Sequence, residues 1–157
     1  RGLLAAGGVA VAPRVYERNV RFDTADERLL ARQALLRLRQ DSRVRLTYKV
    51  LSAQDAASEA KIREEIELTV EEFDRMALIF ERLGFQAVQS YEKYRTTFHL
   101  GDVEVVLDEM PFGDFVELEG ASDASLKAAA AALGLDWSRP VDMGVLLPRC
   151  ALSEDKP

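Results

Sequence analysis

Segments along this chain alternate with a period of two, and as they alternate they sort charge from oil. In "LLRLR" Arg37 and Arg39 fall on one parity, Leu36 and Leu38 on the other. In "RVRLTYKV" Lys49 shares its parity with Arg45 and Thr47, opposite Leu46 and Tyr48. "KIREEIEL" sets Glu65 and Glu67 against Ile66 and Leu68, and "SYEKYR" adds Lys93 and Arg95 to the ionic parity. "VVLDEM" places Asp108 opposite Val105 and Leu107, and "DFVELEG" places Glu117 and Glu119 opposite Val116 and Leu118. Two is the strand period, because successive side chains leave opposite faces of a pleated sheet. The pattern predicts strands with one ionic face and one oily face.

The remaining segments fit around such strands. "VYERNVRF" (15–22) alternates Tyr16, Val20 and Phe22 with Glu17, Asn19 and Arg21, then meets the turn signal Asp23-Thr24. A short helix is expected through "ADERLLARQ" and a loop through "SAQDAASEA". "TVEEFDRMALIFERLG" reads as a helix with Thr69 and Glu72 as a capping box, an apolar stripe of Phe73, Met76, Ala77, Phe80 and Leu83, and Gly84 as its stop. The later strands follow one another closely and are therefore expected to be antiparallel. "ASLKAAAAALG" is a second helix capped by Ser122 or Asp123. We expect a single domain over 1–150 and a disordered tail over 151–157.

Which face is inside decides the function. An ordinary antiparallel sheet turns its leucines toward helices and leaves its charges in water. Here the ionic parity is rich in Arg and Glu pairs two residues apart and poor in the Thr, Ser, Gln and Asn of an idle wet face. A sheet curled so that this face closes on itself carries helices outside and charges along a water-filled tunnel. The expected class is α+β, an antiparallel β-barrel or tunnel with a charged interior and helices packed on its outside. Arg and Lys neutralise phosphate oxygens, and clustered carboxylates hold a hard divalent cation that bridges such oxygens. The lining suits a metal-bound polyphosphate, with salt pairing alone as the plainer alternative.

Composition narrows the classes further. Of 157 residues, 48% are hydrophobic and 31% charged, as in ordinary globular chains. A net charge of −6 argues against a general nucleic-acid groove. No apolar run reaches the roughly 18 residues of a membrane-spanning helix. One cysteine, Cys150, makes no internal disulfide, and one histidine disfavours His-based metal and triad chemistry. A cytoplasmic location is expected.

"FDT" followed by "LLARQALLRLR", then "RLTYK", "REEIEL", "LGF", "EKYR" and "VVLDEMPFGDFVELEG", resembles the CYTH superfamily over about residues 15–120. That superfamily includes class IV adenylate cyclases, thiamine triphosphatases and inorganic tripolyphosphatases. The resemblance implies an eight-stranded antiparallel tunnel that takes a triphosphate with Mg²⁺ or Mn²⁺. It implies phosphate binding by Arg37, Arg39, Lys49, Lys93 and Arg95, with Lys49 and Arg95 as the catalytic cations. It also implies metal binding by Asp108, Glu117 and Glu119, with Glu65 and Glu67 as supporting acids that orient the cations.

Two departures from the family pattern stand out. The family opens with an ExExK strand, which "RGLLAAGGVAVAPR" cannot supply, so the sequence is expected to start after it. The family's late Ser-Tyr element is replaced by Asp142 and Met143 in "VDMGVLL". Among other residues, His99 is read as a partly exposed strand-end histidine rather than a general base. Tyr91 is read as packing, and Cys150 as incidental.

The leading expectation is metal-dependent hydrolysis of tripolyphosphate or an organic triphosphate such as thiamine triphosphate or ATP. The first alternative is a class IV adenylate cyclase making cyclic AMP, and the second a polyphosphate-binding or nucleotide-binding module without turnover. The expected partner is a small triphosphate, with neither nucleic acid nor membrane, and a homodimer is left open.

Overall fold

The computed structural model describes residues 2–51 and 63–138. Residues 52–60, Asp142, Met143, Cys150 and the expected tail lie outside the described residues. Among the described residues there are seven strands: β1 (Val9–Thr24), β2 (Leu35–Gln40), β3 (Val44–Leu51), β4 (Arg63–Val70), β5 (Phe85–Leu100), β6 (Val103–Met110) and β7 (Gly113–Glu119). Four helices accompany them: α1 (Gly2–Ala5), α2 (Arg28–Ala31), α3 (Phe73–Arg82) and α4 (Asp123–Ala132). The sheet order is β4-β3-β2-β1-β5-β6-β7. The expected α+β class with an antiparallel sheet is what is found, since β1–β2, β2–β3, β3–β4, β5–β6 and β6–β7 all pair antiparallel. No helix among the described residues is long and apolar enough to cross a membrane.

Backbone contacts gather these elements into two units that share β1 and β5. In the unit spanning residues 18–91, the oily parity of the inner strands forms the core. Val20, Phe22, Leu38 and Val44 are buried with Phe73 and Phe80 of α3, and Leu36, Leu46, Met76 and Phe85 pack against them. Phe80 sits 5.0 Å from Phe22 and 6.0 Å from Phe85, ring centre to ring centre. The expected stripe of α3 thus lies on the sheet, but its start differs. Glu72 is the N-cap and makes no side-chain capping bond, while Thr69 belongs to β4. The proposed capping box is therefore wrong, because strand pairing of Thr69 with Arg45 holds its backbone extended. Gly84, with φ of 90°, ends the helix as expected.

The oily parity is not buried throughout. Ile66 and Leu68 on the outermost strand β4 are 54% and 57% exposed. Parity alone predicted a core position for both, but the cluster around α3 draws on β1, β2 and β3 and, of the described β4 residues, takes only Val70 at the strand end. Leu83, included in the helix stripe, is also exposed.

The other unit, described over residues 2–17 and 92–138, has its own core. Val103, Val105, Leu126, Ala129 and Ala130 are buried where α4 meets β6 and β7. Ser122 caps α4 by accepting from Ser125 N–H at 3.2 Å. Gly120 permits this packing, because a Cβ there would lie 3.1 Å from Leu126 Cδ2 and 3.3 Å from Val103 Cγ2. Val116, expected inside, is 41% exposed on the outer strand β7.

Candidate functional site

In the 18–91 unit, strand register arranges the ionic side chains in rows. Asn19 faces Arg39, and Arg39 faces Arg45. One step along, Arg21 faces Arg37, Arg37 faces Thr47, and Thr47 faces Glu67. Glu67 ties the rows together: its Oε2 accepts from Arg39 Nη2 at 3.1 Å and from Thr47 Oγ1 at 3.0 Å. Its other oxygen, Oε1, lies 3.8 Å from Arg45 Nη1. Lys49 Nζ lies 2.7 Å from Glu65 Oε2, and Arg21 donates to Gln89 Oε1 at 2.8 Å. Glu65 therefore stands as a counter-charge to Lys49, and Glu67 to Arg39 and Arg45.

Arg45 also pairs with Asp41 in the β2–β3 turn. Burial raises the Asp41 carboxyl, but the Arg43 backbone N–H and the charges of Arg45 and Arg39 outweigh it, leaving the group below its usual range.

Arg37 is different. It makes no hydrogen bond or ion pair among the described residues, although its Nε is buried. Asn19 is fully buried, and neither its Nδ2 nor its Oδ1 has a hydrogen-bond partner there. Buried polar groups normally find partners, and leaving one unmade costs about 1–3 kcal/mol.

In the other unit the cations are already engaged. Lys93 Nζ donates to Asp108 Oδ2 at 2.6 Å and lies 3.7 Å from Glu17 Oε2. Arg95 grips Asp108 with two bonds of 2.7 Å, from Nε to Oδ1 and from Nη2 to Oδ2, and Nη2 reaches Glu117 Oε2 at 3.0 Å. Burial raises the Asp108 carboxyl, but the Arg95 hydrogen bonds and the Arg95 and Lys93 charges outweigh it and hold the group below its usual range. Burial likewise pulls the Arg95 guanidinium down, while Asp108, Glu117 and Glu17 hold it above its ordinary value.

Glu119 faces Glu104 across β6–β7, and Glu104 faces His99 across β5–β6. His99 is exposed, with Nε2 3.6 Å from Glu104 Oε2. This is the partly exposed strand-end position expected of it.

A divalent ion needs several oxygens converging on one point. Among the described residues no three His, Cys, Asp or Glu side chains gather into such a group. Both oxygens of Asp108 are committed to Lys93 and Arg95, and Glu117 is engaged by Arg95. In this arrangement Asp108, Glu117 and Glu119 do not fit a metal ion.

The sequence reading passed over several residues that the structure places among these groups. Glu17 and Asn19 are buried on β1, Gln89 is buried on β5, and Thr47 is buried between Arg37 and Glu67. Glu17, Asn19 and Arg21 did alternate with the apolar residues of "VYERNVRF", and that parity was the available signal. Thr47 shares the ionic parity of Arg45 and Lys49 in "RVRLTYKV" in the same way. Tyr94, which flanks Lys93 and Arg95 in sequence, belongs to another cluster: Arg14 stacks over its ring at 3.5 Å, and Tyr16 meets it edge-on at 5.4 Å.

Comparison with known proteins extends these observations. The CYTH domain profile matches residues 4–140. A protein of Methanocaldococcus jannaschii, provisionally named an adenylate cyclase, is 30% identical over 114 residues, covering 71% of this chain. The chain spans 63% of the length of that curated relative. Among solved structures, a Vibrio parahaemolyticus protein provisionally named an adenylate cyclase superposes with a TM-score of 0.72 at 19% identity, covering 92% of this chain and 89% of its own. A Hippeastrum protein, provisionally named an adenylyl cyclase and described as having a dominant triphosphatase activity, superposes with a TM-score of 0.60 at 18% identity, covering 85% of this chain and 82% of its own. At such identities the structural likeness speaks to fold alone.

Proposed function

The chain belongs to the CYTH domain family, and from that premise we propose that it binds the phosphate chain of a triphosphate through Arg37 and Arg39 and hydrolyses it. The observation that carries this reading is the contrast between Arg37 and its neighbours. Lys49, Arg39 and Arg45 each have a carboxylate partner, whereas Arg37 has none among the described residues. A half-buried guanidinium without a counter-ion is a ready anion receptor, and its planar fork suits two phosphate oxygens.

In the proposed reaction Arg37 and Arg39 fix the phosphate chain. Glu67 and Thr47 hold the Arg39 guanidinium in place, so that its charge is oriented before substrate arrives. Catalysis then rests on positioning and on stabilising the charge that builds on the transferring phosphoryl oxygens. Lys49, in the same unit as Arg37 and Arg39, is the proposed catalytic cation. In the other unit Arg95 is held by Asp108 and Glu117 as a fixed charge. A divalent cation, when bound, would withdraw charge from the phosphoryl group. The acids as arranged among the described residues do not gather around an ion. A cytoplasmic location accompanies this proposal, since triphosphates are made and used there.

The second reading is an adenylate cyclase, favoured by the name of the Methanocaldococcus relative. One assay separates the two. The protein is given tripolyphosphate, thiamine triphosphate and ATP, with Mg²⁺, with Mn²⁺ and with neither, and phosphate, pyrophosphate and cyclic AMP are followed separately. Release of phosphate supports hydrolysis; cyclic AMP as the main product replaces the first reading by the second. Binding of triphosphate without any product identifies a binding module. Loss of the metal response in Glu119→Gln assigns a ligand role to that acid, and an unchanged response removes it.

A further inference from the structure

Asn19 is the least explained polar side chain on the arginine-bearing face. It is fully buried at the middle of β1, facing Arg39 across the ladder, with Arg21 two residues further along. Neither end of its carboxamide has a hydrogen-bond partner among the described residues. Arg37, on the same face and in the adjacent row, is also without one. A neutral amide differs from the guanidinium groups around it in one chemical respect: it donates through Nδ2 and accepts through Oδ1, whereas arginine only donates.

Resting on the phosphate-binding reading above, we propose that Asn19 contacts the ligand and reads the terminal phosphoryl group of the phosphate chain. Nδ2–H donates to a phosphoryl oxygen held between Arg37 and Arg39. Oδ1 accepts from the P–OH of the same group. Only a chain end offers both partners, because terminal phosphate alone carries an ionisation near neutrality, with a second pKa of about 6, and so presents a hydroxyl beside its anionic oxygens. Internal phosphates carry acceptor oxygens only. Asn19 therefore selects linear phosphate chains with a free end over closed or doubly esterified ones.

The test compares tripolyphosphate with trimetaphosphate, a cyclic triphosphate that has no terminal group, by calorimetric titration of the full chain. The proteins compared are wild type, Asn19→Leu, which keeps the branched skeleton without its polar atoms, and Asn19→Ala, which adds no bulk. Thermal unfolding without ligand is measured in parallel. We expect both variants to bind tripolyphosphate at least tenfold more weakly than wild type, to bind trimetaphosphate with little change, and to be no less stable than wild type when empty. A side chain satisfied by the protein itself would give the opposite: reduced stability with affinity intact. That result overturns the assignment, as does an equal loss for both probes. Should Asn19→Leu fail to fold, Asn19→Ala carries the comparison. If wild type binds neither compound, the phosphate-binding reading itself fails and this inference goes with it. If wild type binds tripolyphosphate and both variants match it, the inference alone fails.

Discussion

Lys93 Nζ lies 2.6 Å from Asp108 Oδ2, with the two side chains only 5% and 9% exposed. Arg95, partly buried on the same strand as Lys93, closes on the same carboxylate, so one acid holds two cations. Such an arrangement is stable only while it is complete. Asp108→Asn leaves both cations short of a counter-charge, and breaking a buried pair from one side costs about 3–5 kcal/mol. Urea unfolding at pH 7 should show a loss of that order.

The same carboxylate makes the loss pH-dependent. Its folded pKa lies below the ordinary value. Its contribution is therefore fully present above the unfolded pKa of about 3.9 and disappears as pH falls through the folded pKa. The stability gap between wild type and Asp108→Asn should stay constant from pH 7 to about 5 and narrow below about pH 4. A gap that widens on acidification would contradict the assignment.

Arg37 and Arg39 sit two residues apart on one face, yet their replacement should have different consequences. Arg39 is bonded to Glu67, so Arg39→Gln should cost about 1–3 kcal/mol of stability through the stranded partner. Arg37→Gln removes no bond within the described protein and should change stability by less than about 1 kcal/mol. Both should weaken tripolyphosphate binding about tenfold or more, the value of one charged hydrogen bond of about 1.5–3 kcal/mol. Thermal unfolding and calorimetric titration on the same samples check both parts.

Asp23 secures α2. Its carboxylate accepts from the backbone N–H of Leu29 and of Leu30, each at 2.9 Å, and from Thr24 N–H at 2.7 Å. Asp23→Ala orphans these donors and should destabilise by about 2 kcal/mol, the upper range for a lost helix cap. Hydrogen exchange should quicken first at Leu29 and Leu30.

Ile66 and Leu68 should tolerate polarity. Being more than half exposed, they should change stability by no more than about 0.5 kcal/mol each on replacement by Thr. Leu38→Ala, at a fully buried position, should cost about 2–5 kcal/mol. Chemical denaturation of the three variants gives the comparison directly.

Local pattern alone determined the strands, their ionic and oily faces and the α3 stripe, because a period of two or of 3.6 is written in consecutive residues. It also placed Arg37, Arg39, Lys49, Glu65 and Glu67 on one face, and their register later brought Lys49 opposite Glu65. Parity states the side of the sheet on which a residue stands, not what covers it or what answers it. Only the tertiary structure decided that Ile66 and Leu68 remain exposed, since that depends on where a helix ten residues long comes to rest. It alone decided that Asp108 is occupied by two cations while Arg37 and Asn19 find no partner among the described residues, because those distances are set by strands far apart in sequence. Charge pairing is a property of the fold, while charge placement is a property of the chain.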